Sequence, residues 1–257
     1  GIIPVVATFF VFSDYMKPAI RLSGIQELGV KYVWTHDAFR VGEDGPTHQP
    51  VEQEAQIRLL EKLKNHSGKN SFLAMRPADS AETSVAWKMA LENTDTPSGL
   101  ILSRQGIKDI APQGESRYQE ALGAERGGYL VKEVENPDVV LIANGSEVAT
   151  LFAAAEILES QNGLKVNIAS IISEGVFRNQ SKDYQNSVIP KGLPLFGLTA
   201  GLPVNLEGLV GETGKVFGLD HFGYSAPASV LDDKFGFTGE KVSVQVLEYL
   251  NETVLAK

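Results

Sequence analysis

Val30-Lys31-Tyr32-Val33-Trp34-Thr35 leads into His36-Asp37 and, after a short gap, into Gly42-Glu43-Asp44-Gly45-Pro46-Thr47-His48-Gln49-Pro50. The first six residues are rich in β-branched and aromatic side chains, which predicts a strand. From Val51 to Asn65 the apolar residues return at helical spacing, with Ala55, Leu59, Leu60 and Leu63 on one face, so a helix is expected there. Strand, loop and helix in that order form the unit of an α/β protein with a mostly parallel sheet. The loop from His36 to Pro50 is too long for an ordinary strand-to-helix connection. It also follows the carboxyl end of a strand, the edge at which open α/β sheets bind ligands.

The same alternation runs outward from this stretch. Pro4 to Val11 (PVVATFFV) reads as a buried strand and Tyr15 to Leu28 as a helix entered through Ser13-Asp14. Phe72 to Met75 is a short strand, Asp79 to Glu82 a capping-box start to a helix carrying Val85, Met89 and Ala90, and Gly99 to Leu102 a further strand. Periodicity fails over 106–127, where Gly, Pro, Gln and charge gather. The expected division is a first domain at 1–112, a linker at 113–127 and a second domain at 128–257. In the second, Val139 to Ala143 and Asn144-Gly145-Ser146 precede a helix from Glu147 to Glu159, with Val148, Leu151, Phe152, Ala155 and Leu158 on one face and Gly163 as C-cap. Strands at Val166–Ile172 and Leu195–Thr199 and a closing helix at Val242–Leu255 complete the pattern. The fold class is α/β: two three-layer αβα domains with mostly parallel sheets.

A chain of 257 residues, 43% of them hydrophobic, can bury one large core or two ordinary ones. The net charge of -9 and the lack of any Lys/Arg cluster disfavour nucleic acid as a partner. Without cysteine there is no disulfide or thiolate chemistry, which fits a reducing compartment. No apolar run approaches the roughly 18 residues that cross a bilayer, and Gly1-Ile2-Ile3-Pro4 has no basic region of a signal peptide. The expectation is a cytoplasmic protein without a membrane partner, whose first residue lies inside a longer polypeptide.

The loop after Thr35 carries two of the four histidines among several carboxylates. Histidine titrates near neutrality and suits a proton donor; the alternative is an Asx-turn loop with surface histidines. Phe9, Phe10, Phe12 and Tyr15 gather at one strand end. If that strand continues, Phe10 and Phe12 share a face and Phe9 takes the other. They are either core residues or a pocket for a flat heterocycle. Arg104, just past a strand end, is either an oxyanion clamp or a surface ion-pair partner. No metal ligands are expected, and the absence of a Gly-rich phosphate loop disfavours a stand-alone flavodoxin-like binder.

Taken in order, ATFFVFSDY (7–15), THD (35–37), GEDGPTHQP (42–50), RPAD (76–79), LSRQ (102–105), NGSEV (144–148), DHFG (220–223) and FGFTG (235–239) resemble the transketolase family over essentially the whole chain. The matching region is the family's C-terminal portion: a partial pyrimidine-binding domain of the thiamine-diphosphate-binding fold, followed by the transketolase C-terminal domain. THD with GEDGPTHQP favours transketolase, or the related dihydroxyacetone synthase, over deoxyxylulose phosphate synthase and the pyruvate dehydrogenase β-subunit.

The resemblance implies transfer of a two-carbon ketol unit between sugar phosphates in the pentose phosphate pathway, by a homodimer using thiamine diphosphate and Mg2+ or Ca2+. Phe9, Phe12 and Tyr15 resemble the pocket that stacks on the aminopyrimidine ring. Asp44 and His48 resemble the catalytic substrate contacts, Asp44 reading a hydroxyl and His48 assisting proton transfer or holding an oxygen. His36 and Arg104 resemble the donors to the sugar phosphate.

The family's activating glutamate, in an Arg-Glu-His segment, and its pyrophosphate domain with the metal ligands have no counterpart in these residues. The expectation is half a site, inactive alone and completed by a missing N-terminal pyrophosphate domain, in a proteolytic product, an excised section or one part of a split enzyme. The first strands of the pyrimidine domain are absent too, so an exposed sheet edge is expected. A non-catalytic interaction module that keeps the fold is the alternative; it has no need of the His36, Asp44, His48 and Arg104 set. The connection 64–70 looks longer than is usual in the family, and His221 reads as structural.

Overall fold

The computed structural model describes residues 1–114 and 116–255. Its first sheet holds β1 (Val5–Phe9), β2 (Lys31–Thr35), β3 (Leu73–Met75) and β4 (Ser98–Ile101), in the order β1-β2-β4-β3 and parallel throughout. The connecting helices are α1 (Ser13–Ile25), α2 (Gln53–Lys62) and α3 (Ser80–Glu92). All four residues of β4 are buried, as expected of a parallel strand covered on both faces. Gly99 is required within it, because a Cβ there would lie 2.5 Å from Trp34 and 2.8 Å from Phe72. Trp34 and Phe72 stack over that gap with Tyr32 and Phe10 to form one core. β1 is an edge strand with Val5 and Val6 exposed: the open edge is as expected, but the strand is not the buried one that PVVATFFV suggested, because no strand among the described residues covers its outer side.

The second sheet holds β5 (Tyr129–Lys132), β6 (Val139–Ala143), β7 (Val166–Ser170), β8 (Leu195–Leu198) and β9 (Lys215–Phe217), in the order β5-β7-β6-β8-β9. Only β5 runs antiparallel to its neighbour. Alternate residues of β6 feed opposite cores. Val139, Leu141 and Ala143 join α5 (Glu147–Asn162) and α10 (Gly239–Leu255), while Val140 and Ile142 join the side of α6 (Glu174–Arg178), α7 (Lys182–Val188) and α8 (Val204–Val210). The α5 face is as expected from spacing, and Gly163 caps it at φ 66°.

Two further expectations about local structure are corrected. β1 stops at Phe9, and Phe10–Phe12 form a 3-10 turn, so the strand does not continue. Phe10 enters the core beside Trp34 at 5.5 Å, while Phe9 and Phe12 stack at 6.1 Å: the turn pairs the two rings that an extended strand would separate. On α2, Leu59 and Leu63 are exposed, and the buried face is Gln53, Glu54, Ile57, Arg58 and Glu61. Arg58 bonds Glu54 and Glu61 on this face, so paired charges take the place of an apolar stripe. In the linker, α4 (Arg117–Ala121) and a 3-10 turn at Leu122–Arg126 pack with Ala121 and Ala124 buried. Arg117 bonds Asp79 and Glu82 at the start of α3, where Asp79 caps the Glu82 amide as the sequence predicts. Glu115 lies outside the described residues.

The carboxyl ends of the two sheets meet. The Arg76 amide, just past β3, donates to Ile172 O, and the Gly145 amide donates to Arg76 O. One hydrophobic cluster crosses the junction, from Phe39, Met75 and Leu100 to Leu231, Phe235 and Phe237 of the second half. Phe39 meets the edges of Phe235 at 5.2 Å and Phe237 at 4.9 Å.

Candidate active site

β2 ends at Thr35, and His36 then takes a left-handed backbone, φ 62°. For a residue with a Cβ this costs on the order of 1 kcal/mol or more, so the surroundings must hold it. Asp37 is buried and accepts from Arg76 Nη2 at 2.6 Å and Nε at 3.1 Å. His36 Nδ1 shares a hydrogen bond with Thr35 Oγ1 at 2.8 Å, and its ring lies on Phe9 with centroids 3.6 Å apart and planes 19° from parallel.

The 42–50 loop folds back onto the same patch. Gly42 and Gly45 have φ 86° and 76°, and the Gly45 and His48 amides close successive turns onto the Gly42 and Gly45 carbonyls. Gln49 Nε2 fastens the loop by donating to Gly42 O at 2.9 Å and to Tyr224 O of the second half at 3.0 Å. Ser225 Oγ donates to Glu43 O. His48 thus meets Phe12 edge-on at 5.5 Å and Phe9 at 6.3 Å, and its Nδ1 bonds Thr47 Oγ1 at 2.8 Å. Tyr15 stands beside Phe12 at 6.1 Å and is 83% exposed.

Burial, reinforced by the charge of Arg104 and by His48, lowers the His36 pKa, with Asp44 and Asp37 pulling the other way. Asp44 and Arg104 are therefore close enough to act on His36, and both are exposed. The structure brings Phe9, Phe12, Tyr15, His36 and His48 together, with Asp44 and Arg104 near enough for their charges to act on His36. His221 donates from Nδ1 to Phe222 O at 2.7 Å and packs on Phe235. Among the described residues, no group of three or more His, Asp or Glu could hold a metal ion.

Behind the patch lies a network that sequence reasoning left without a role. Arg76, 1% exposed, bonds Asp37, the Asn144 carbonyl and Oδ1 at 3.1 and 2.7 Å, and Glu147. Glu147 also accepts from Arg40 at 2.6 Å, and Arg40 reaches Asp232 at 2.7 Å. Asn144 Nδ2 donates to Glu54 at 3.0 Å, and Glu61 accepts from Ser173 Oγ at 2.9 Å. Burial alone would push the Glu147 carboxyl up, but Arg76 and Arg40 outweigh it and hold it low; Arg76 itself is held charged. One signal for this network is readable in sequence: Glu54, Arg58 and Glu61 recur at helical spacing and would form a charged stripe on α2.

Residues 1–108 match the family model for the transketolase pyrimidine-binding domain, and residues 127–238 match that for the transketolase-like C-terminal domain. The chain belongs to the transketolase family. A curated transketolase of Staphylococcus aureus is 41% identical over 249 residues, covering 96% of this chain and 36% of the relative. That of Aquifex aeolicus is 40% identical over 250 residues, covering 96% and 34%. The solved transketolase of Leishmania mexicana superposes with a TM-score of 0.86 at 36% identity, over 98% of this chain and 35% of that one. The chain thus spans about a third of the length of the curated transketolases it matches. A split-gene transketolase described as an inactive β4 tetramer shares the fold, with a TM-score of 0.71 at 22% identity over 98% of this chain and 77% of its own.

Proposed function

We propose that these residues form the pyrimidine-side wall of a transketolase active site that moves a two-carbon ketol unit between sugar phosphates. The observation that carries this reading is the single open patch in which Phe9 and Phe12 lie between His36 and His48, with Asp44 and Arg104 alongside. Thiamine diphosphate, when bound, supplies the carbanion chemistry. The half-buried faces of Phe9 and Phe12, with exposed Tyr15 beside them, fit a flat heterocycle and would keep water from it. With Nδ1 of each histidine engaged by the neighbouring threonine, Nε2 is the atom left for substrate. The His48 Nε2 would hold or move a proton at a substrate oxygen, and Asp44 would accept a hydroxyl. His36 favours its neutral form, so Arg104 would carry the charge that binds the phosphate, with His36 Nε2–H as a second donor.

In this reading the remaining wall, with the Mg2+ or Ca2+ ligands and the activating glutamate, comes from a pyrophosphate domain outside these 257 residues, across a homodimer interface in the cytoplasm. The test is a ketol-transfer assay with a ketose phosphate donor, an aldose phosphate acceptor, thiamine diphosphate and Mg2+. The chain alone should be silent. Mixed with the pyrophosphate half of a related transketolase it should turn over, and His48→Ala should cut that rate by about 10²-fold or more. Robust turnover by the chain alone, or a reconstituted rate indifferent to His48→Ala, would refute the reading.

A further inference from the structure

The ring contacts of the patch are all made by residues of the first half, yet two separate tethers run from the second half to the segments that carry the histidines. The first is Glu147 at the start of α5, bonded to Arg76, which grips Asp37 by two nitrogens immediately after the left-handed His36. Every side chain along it is buried. Its backbone is fixed as well, because Arg76 N and O are both spent on the second half, at Ile172 and Gly145. Gly145 itself sits at φ 59°, where a Cβ would lie 2.7 Å from the guanidinium, so this turn is shaped around Arg76. The second tether is the Gln49 bond to Tyr224 O with the Ser225 bond to Glu43 O, on either side of Asp44 and His48.

We infer that the C-terminal half is a positioning device for the active-site histidines: Glu147 and Arg76 set His36 through Asp37, and Gln49 sets His48 by anchoring its loop to the 224–225 segment. Stability alone does not account for this arrangement. A buried ion pair contributes little net stability compared with an apolar pair of the same shape, whereas its directional bonds fix one geometry. The geometry at stake is a conformation His36 would not hold unaided, since a left-handed His with its ring flat on Phe9 is a minor state of a free loop. Glu147, Arg76 and Gln49 are positioning residues; they touch neither the patch surface nor its rings. The functional meaning rests on the transketolase reading, but the coupling itself does not.

The test uses the intact chain without cofactor or substrate, so it stands or falls apart from the activity assay. The four histidines give separate ring signals in a proton–carbon NMR spectrum. His36 should show the upfield displacement of a ring stacked on Phe9 and a titration midpoint below the ordinary histidine value of 6.5. The charged or titratable groups acting on it are Arg104, Asp44, Asp37 and His48, none of them altered in the variants. Glu147→Gln should move the His36 signal and midpoint toward those of a free histidine and leave His66 in place. Gln49→Leu should move the His48 signal further than that of His36, which feels the loop only through Asp44 and His48. Val246→Ala, a cavity on the closing helix, which carries none of the tether residues, should lower the melting temperature without moving either. If Glu147→Gln does not fold, Asn144→Ala removes the Arg76 bond to Oδ1 and the Nδ2 bond to Glu54 while keeping every charge pair, and should shift His36 in the same direction. An unmoved His36 in the folded variant, or an equal shift in Val246→Ala, would overturn the inference.

Discussion

Replacing Arg76 by Met removes the cation at the junction of the two sheets while keeping most of the side-chain volume. Breaking a buried ion pair costs about 3–5 kcal/mol, because the carboxylate left behind has lost its compensation. Arg76 bonds two carboxylates, Asp37 and Glu147, and lies 3.9 Å from a third, Glu54, which keeps Arg58 at 3.1 Å, so the naive expectation is at least twice that. The geometry decides otherwise. Glu147 keeps Arg40 at 2.6 Å and Ser146 Oγ at 2.8 Å, whereas the Asp37 carboxylate has Arg76 as its hydrogen-bonded partner. One stranded carboxylate, not two, gives an expected loss of about 3–5 kcal/mol, against a total stability of about 5–15 kcal/mol for a typical protein. Urea unfolding, followed by Trp34 and Trp87 fluorescence in the first half and by far-ultraviolet circular dichroism for both, reads it directly. The double variant Arg76→Met with Asp37→Leu removes the stranded charge and should regain most of the loss. A single variant that loses less than about 1 kcal/mol, or a double variant no better than the single, would show that the network is not what this structure describes.

Two further outcomes follow from particular contacts. Because the folded protein holds the His36 pKa below its ordinary value of 6.5, the unfolded chain binds more protons between the two values. His36 therefore adds stability as pH rises through that window and loses it as pH falls. Subtracting the unfolding midpoints of His36→Gln from those of the parent over about pH 5 to 8 should isolate a positive slope below 6.5; a flat or negative difference contradicts the assignment. Gly99→Ala should cost about 1–3 kcal/mol, since the new methyl meets Trp34 at 2.5 Å and Phe72 at 2.8 Å with no flexible end to yield. A shifted Trp34 emission should accompany that loss, and an unchanged spectrum with unchanged stability would refute the packing account.

The strands were legible because a covered parallel sheet demands β-branched and aromatic runs, and VKYVWT and VVLIA have no other plausible environment. Both histidine loops stood out by length and composition, and the structure gathers their residues around one surface. Reading failed where burial was ionic. Hydropathy placed Leu59 and Leu63 inward on α2, but Glu54, Arg58 and Glu61 occupy the inner face because each finds a partner there. Failure at Phe10–Phe12 has a different cause: a 3-10 turn and a strand continuation begin with the same residue types, and only the tight turn lets Phe12 rejoin Phe9. Arg76 was visible in RPAD yet given no role, because its partners Asp37, Asn144 and Glu147 converge only when the two sheets meet.

The central claim is that Phe9, Phe12, His36 and His48 form one wall of a cofactor cleft whose other wall lies outside these residues. Its most direct measurement is an NMR titration of the histidine-labelled chain with thiamine diphosphate and Mg2+, alone and with the pyrophosphate half of a related transketolase. The account predicts that the His36 and His48 signals shift together and saturate only in the presence of that half, while His66 and His221 stay in place. Saturable cofactor binding to the reconstituted pair that leaves both His36 and His48 unmoved would contradict it.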